Sequence, residues 1–86
     1  MRKPTIIANL SKNSRETVRI ALDEYRGVNL VDIRIMVIAN DPSGAEVPTK
    51  KGISLRVEQL PHLLAALHAA EAEVRRSGLI SRDKAP

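Results

Sequence analysis

Between residues 16 and 25 apolar and polar positions alternate. Val18, Ile20 and Leu22 fall on one side of an extended chain, and Thr17, Arg19, Ala21 and Asp23 on the other. A period of two over this length predicts a half-buried strand. Arg26 and Gly27 supply a turn, with Gly27 free to take a positive φ. Residues 29–38 predict a second, longer strand. Its Val31, Ile33, Ile35 and Val37 are all β-branched and share one face, which suits the core side of a pleated sheet. The other face, Leu30, Asp32, Arg34, Met36 and Ile38, mixes charge with bulk and is expected to meet a partner. A dense turn signal follows at residues 40–44. Residues 45–47 predict a short third strand, cut off by Pro48. Lys50, Lys51 and Gly52 bend the chain, and residues 53–56 predict the last strand.

From Glu58 the period changes to 3.6. Leu60, Leu63, Leu64, Leu67, Ala70 and Val74 form one continuous stripe, so a helix over 58–77 is expected. Pro61 sits in its first turn, Arg75 and Arg76 complement its C-terminal end, and Gly78 suits the residue after its cap. At about 1.5 Å per residue the helix spans roughly 30 Å. It should brace the ribbon from behind. It also exceeds the width of a four-stranded sheet, so part of its stripe should pack on a second copy. The expected fold is α+β: a four-stranded antiparallel twisted meander followed by one C-terminal helix, ββββα. Residues 1–14 read as a flexible basic arm, either a plain solubilising tail or a source of non-specific phosphate contacts, with Thr5 to Leu10 open to being tacked onto the fold; 15–80 read as the folded domain and 81–86 as a tail.

Composition narrows the function classes. The chain has 86 residues, no cysteine and a single aromatic residue, Tyr25. A domain this small has a marginal core. Without disulfides or a metal, self-association is the expected source of extra stability. The net charge is +4, which leans towards a polyanionic partner. Three of those charges come from Arg2, Lys3 and Lys12 in the arm. The folded part must therefore rely on where its bases point. No apolar run approaches the ~20 residues of a membrane span, and residues 1–13 carry no secretory pattern. A cytoplasmic protein is expected, nucleoid-associated if bacterial.

Catalytic chemistry finds no support in the sequence. His62 and His68 are six apart on the expected helix and so on different faces, which is no metal spacing. No cysteine nucleophile, glycine-rich phosphate loop or carboxylate pair is present. No catalytic residue, metal or cofactor is expected. A binding surface is the better reading. Alternate residues of a strand stand about 7 Å apart on one face, near the phosphate spacing of an extended single strand. Arg19, Arg26, Arg34, Lys50 and Lys51 come from separate segments that a meander can bring to one surface. Tyr25 offers a ring on which a base can stack. Asp32 reads as an ion-pair or turn-capping partner beside Arg34, and Met36 as interface filler.

The segments Tyr25-Arg26-Gly27, Leu30-Val31-Asp32-Ile33-Arg34, Asp41-Pro42, Gly44, Lys50-Lys51-Gly52-Ile53-Ser54-Leu55 and Glu58-Gln59 together resemble the DNA-binding domain of the positive cofactor four transcriptional coactivators. The likeness runs from about residue 17 to 74. It implies four antiparallel strands and one helix, a dimer that pairs its helices across the two-fold, and single-stranded or melted DNA held on the sheets. Carried over by position, it implies that Tyr25 stacks on a base, Arg26 flanks it, Arg34 meets the backbone, and Lys50 and Lys51 add charge. It implies a helix-borne dimer interface at Leu60, Leu63, Leu64, Leu67 and Val74. The chain departs from the pattern at Val37, where animal members carry a second large aromatic, and in a hairpin with Pro48 and Thr49. The expected function is single-stranded DNA binding with little sequence preference, in a transcription regulator. The alternative is a dimeric protein–protein adaptor working through the mixed face around Leu30 and Met36.

Overall fold

The computed structural model describes residues 4–80. Four strands and a helix follow one another: β1 (Thr5–Ser11), β2 (Glu16–Tyr25), β3 (Val28–Ile38), β4 (Glu46–Arg56), a 3-10 turn (Val57–Gln59) and α1 (Leu60–Arg76). The strands pair in chain order as one open antiparallel sheet. The ββββα architecture is the expected one. Its strands are not all the expected ones.

The first difference lies at the N-terminus. Residues 1–3 and 81–86 of the expected arm and tail lie outside the described residues. Thr5–Ser11, expected within a flexible arm, is strand β1 on the free side of β2. The ladder runs Ile6 opposite Ala21 and then Ala8 opposite Ile20, so Ile7 is an inserted bulge residue. A bulge breaks the period of two, which is why TIIANLS does not alternate and does not read as a strand. The second difference is at β4. The two short strands expected at 45–47 and 53–56 are one strand of 11 residues. Pro48 is tolerated because β4 is an edge strand, where one missing donor leaves no partner waiting.

Gly52 makes the continuity of β4 possible. Its φ is +150°, and a Cβ there would stand 2.3 Å from the Ile33 carbonyl oxygen and 2.9 Å from the Arg34 Cα. No side chain fits between the strands at that point. Just before it, Arg34 pairs with Gly52 and Met36 with Pro48. Thr49, Lys50 and Lys51 therefore oppose Ile35 alone, and this wide bulge curls the edge. The β2–β3 hairpin closes through Arg26 and Gly27, both at positive φ (51° and 79°), as a tight two-residue turn requires.

The helix ends as its sequence suggests. Gly78 takes φ 74°, its N–H donates to the Arg75 carbonyl, and the Leu79 N–H donates to the Val74 carbonyl at 3.0 Å. The expected bracing of the sheet by the helix is not observed. No residue of α1 is buried, and the helix packs chiefly on the 3-10 turn before it. Leu64 and Leu67 are 48% and 56% exposed. The Cα radius of gyration is 15.5 Å, against about 12 Å for a compact chain of this length. Among the described residues only Ala21, Val31 and Met36 are buried hydrophobics. The helix leaves the end of β4 without turning back, so much of its stripe and the Leu22, Val47 and Ile53 part of the aliphatic sheet face are left open.

Candidate functional site

Register divides the sheet into two faces. Val18, Ile20 and Leu22 of β2, Val31, Ile33, Ile35 and Val37 of β3, and Val47, Ile53 and Leu55 of β4 share one of them. This is the aliphatic face expected from the alternation. The other face carries Arg19 opposite Arg34, Ala21 opposite Asp32, Asp23 opposite Leu30 and Tyr25 opposite Val28. On β4 it continues with Pro48, Gly52, Ser54 and Arg56. Five of the six residues expected to hold nucleic acid lie on this polar face or at its rim.

Arg19 and Arg34 are direct cross-strand partners, and two like charges so placed repel. Each is held by a carboxylate. Arg34 donates from Nη2 to Asp32 Oδ1 at 2.7 Å and from Nε to Asp32 Oδ2 at 3.3 Å, a forked pair. Its Nη1 donates to the Thr49 carbonyl in the β4 bulge. Asp32 Oδ1 also accepts from the Ser54 hydroxyl at 2.7 Å. The expected ion pair between Asp32 and Arg34 is therefore present. The Arg34 hydrogen bonds hold the Asp32 carboxyl below its usual pKa, and the same bonds raise that of the guanidinium.

Arg19 is tied more loosely. Its Nε donates to Asn9 Oδ1 of β1 and its Nη2 to Glu46 Oε1 of β4, both at 3.2 Å. Glu46 Oε2 accepts from the Thr17 hydroxyl at 2.8 Å. Glu46 is paired with Ile38, so its side chain reaches from the edge strand across β3 to β2. Beneath it Met36 is 3% exposed. The result is a shallow hollow of about 500 Å³ with Ala21, Met36 and Pro48 in its floor. Two guanidinium groups and the carboxylates of Asp23, Asp32 and Glu46 line it.

The remaining expected residues sit around this hollow. Tyr25 is at the far end of the same face, 54% exposed, with the Arg26 guanidinium 5.1 Å from its ring centroid. Val28, its partner, is six residues from Arg34 along β3, roughly 20 Å in an extended strand. Lys50 and Lys51 are exposed in the bulge beside Arg34. Lys51 departs from the set. It is next to Gly52 of the polar face, and its charge is felt by Glu16, which pairs with Val37 on the aliphatic face. Asn9, Glu46 and Arg56 complete the polar face and were not legible as site residues. Asn9 and Glu46 act on Arg19 across 10 and 27 residues of sequence. Arg56 joins the face only once β4 is continuous. No group of histidines and acids able to hold a metal is present among the described residues, and no described helix is long and apolar enough to cross a membrane.

The family model described as Transcriptional Coactivator p15 (PC4) matches residues 8–66. A PC4 homologue from Burkholderia pseudomallei K96243, in its tetragonal crystal form, superposes with a TM-score of 0.72 at 36% identity, covering 80% of this chain and 98% of that one. A bacteriophage T5 homologue of the eukaryotic coactivator, implicated in recombination-dependent DNA replication, gives 0.62 at 27% identity, covering 91% and 90%. MoSub1 in complex with single-stranded DNA gives 0.59 at 28% identity, covering 81% and 78%. Against curated proteins the chain has no match.

Proposed function

The chain belongs to the transcriptional coactivator p15 (PC4) family, and from that premise we propose that it binds single-stranded or locally melted DNA on the polar face of its sheet, with little sequence preference, as a regulator of transcription. The observation that carries this reading is the joint placement of Tyr25, Arg19 and Arg34 on one face of a sheet shared with a protein crystallised on single-stranded DNA. Single-strand binders combine cations along the backbone with flat groups under the bases. Here Arg34, Arg19 and Lys50 meet the backbone and Arg26 adds charge at the turn. Tyr25 stacks on a base. Lys51 contributes at longer range. The protein is a binding module and not an enzyme, and it needs no cofactor.

It works as a homodimer. The Leu22, Val47 and Ile53 part of the aliphatic sheet face and much of the leucine stripe of α1 are apolar surfaces left open in one chain. A second copy supplies what each lacks, through Leu60, Leu63, Leu64, Leu67 and Val74. Two-fold pairing then presents two polar faces of opposite strand polarity, as an open bubble requires. The adaptor alternative has weaker support, since the structural relative seen with a bound partner binds single-stranded DNA.

Titrating labelled oligo-dT and a duplex of the same length, at low and moderate salt, tests the reading. Tighter binding of the single strand, weakening linearly with the logarithm of salt, is expected. Equal or stronger binding of the duplex, or none of either, refutes it.

A further inference from the structure

Arg19 and Arg34 are matched across the strand pair, but their carboxylate partners differ in kind. Asp32 is two residues from Arg34 on the same strand, grips it with both oxygens and is itself held by Ser54. Nothing has to move in the backbone to keep that pair. Glu46 comes from the start of the edge strand, touches Arg19 through one oxygen at 3.2 Å and keeps the other on Thr17. A phosphodiester offers the same charge and the same kind of acceptor as this carboxylate. It cannot share the Arg19 guanidinium comfortably with Glu46, because three acids already line the hollow against two arginines.

We propose that Glu46 is a built-in rival of phosphate for Arg19. It holds the guanidinium, and with it the start of β4, in the free protein, and it gives way when a single strand arrives. This deepens the DNA-binding reading and rests on it. Arg34 is then the fixed contact and Arg19 the exchangeable one. Exchange keeps Arg19 satisfied throughout, since one anionic acceptor replaces another. Its cost is the release of Glu46 from Thr17 and from its place above Met36. The affinity of the free protein for DNA is thereby set below what its arginines alone would give.

The test is oligo-dT anisotropy on the full chain at several salt concentrations. Glu46→Gln keeps the shape and the acceptor for Thr17 but removes the competing charge. It is expected to bind about five- to tenfold tighter at low salt, with a salt slope steeper by up to about 0.7. Thr17→Val, which loosens Glu46 without changing charge, should give a smaller gain in the same direction. Glu58→Gln, the same charge change on the turn at the other end of β4, should stay within twofold of wild type. Arg19→Ala should abolish the gain from Glu46→Gln. Unchanged or weaker binding by Glu46→Gln overturns the proposal. So does an equal gain in Glu58→Gln, or a gain that survives Arg19→Ala. Failure of the wild type to bind oligo-dT removes the DNA reading itself, and this proposal with it.

Discussion

The two faces of the sheet share their strands but not their state of completion. On the aliphatic face Leu22, Val47 and Ile53 remain 40%, 38% and 49% exposed. On the polar face Ala21 and Met36 are two of the three buried hydrophobics among the described residues. Neither face is uniform: Val31, 2% exposed, lies on the aliphatic one, and Ile6, 51% exposed, on the polar one. On the polar side the Arg19–Glu46 and Arg34–Asp32 pairs line one hollow with Ala21 and Met36 within a single chain. The apolar side is closed around Val31 but open at Leu22, Val47 and Ile53, which α1 does not cover. Local electrostatics can finish part of a surface alone, whereas an open aliphatic patch needs another layer. In our account that layer is a second copy, which leaves the polar face free for DNA.

Breaking the unfinished side should have the largest effect. Replacing Leu64 and Leu67 together by glutamate should leave a monomer by sedimentation. Stability should fall by roughly 4 kcal/mol, at about 2 kcal/mol for each leucine buried in the dimer. A dimer with an unaltered melt would mean that the helix stripe is not the interface. Next in size is the join between β3 and β4. Gly52→Ala forces a Cβ into the Ile33 carbonyl and should cost about 3 kcal/mol in chemical denaturation. An alanine variant as stable as wild type would contradict the close approach there.

Smaller changes sharpen the polar side. Tyr25 is half exposed at a strand end, so Tyr25→Ala should leave the melt nearly unchanged and weaken oligo-dT binding about tenfold, within the ~1–3 kcal/mol known for one stacked base. Loss of stability with intact affinity would instead make the ring a cover for the sheet. The smallest effect concerns pH. Hydrogen bonds from Arg34 hold the Asp32 carboxyl below its usual 3.8, so the folded chain favours its ionised form. That contribution is complete above the unfolded value and is lost as pH falls through the folded one. Melts taken from about pH 6 down to about pH 2.5 should fall less steeply for Asp32→Asn than for wild type. Parallel curves would show that the fork contributes no acid sensitivity.

How much of this was legible depended on the range of the contact responsible. Strands β2 and β3 and their Arg26-Gly27 turn follow from a period of two and a local turn rule. The end of α1 follows from Gly78 and Leu79. Asp32 could be paired with Arg34 because they are two apart on one face. Strand β1 was hidden because a bulge at Ile7 puts Ile6 and Leu10 on opposite faces. Pro48 and Gly52 made β4 look broken, and only the register with β3 shows why neither breaks it. The course of α1 and the role of Glu46 depend on where distant segments meet, and no local pattern carries that.

The central claim is that single-stranded DNA lies on the polar face. Arginine side-chain Nε–Hε NMR signals during an oligo-dT titration test it most directly. The signals of Arg19, Arg26 and Arg34 should shift in step with binding, and those of Arg75 and Arg76 on the helix should stay in place. Movement of the helix signals with the sheet signals unmoved would contradict it.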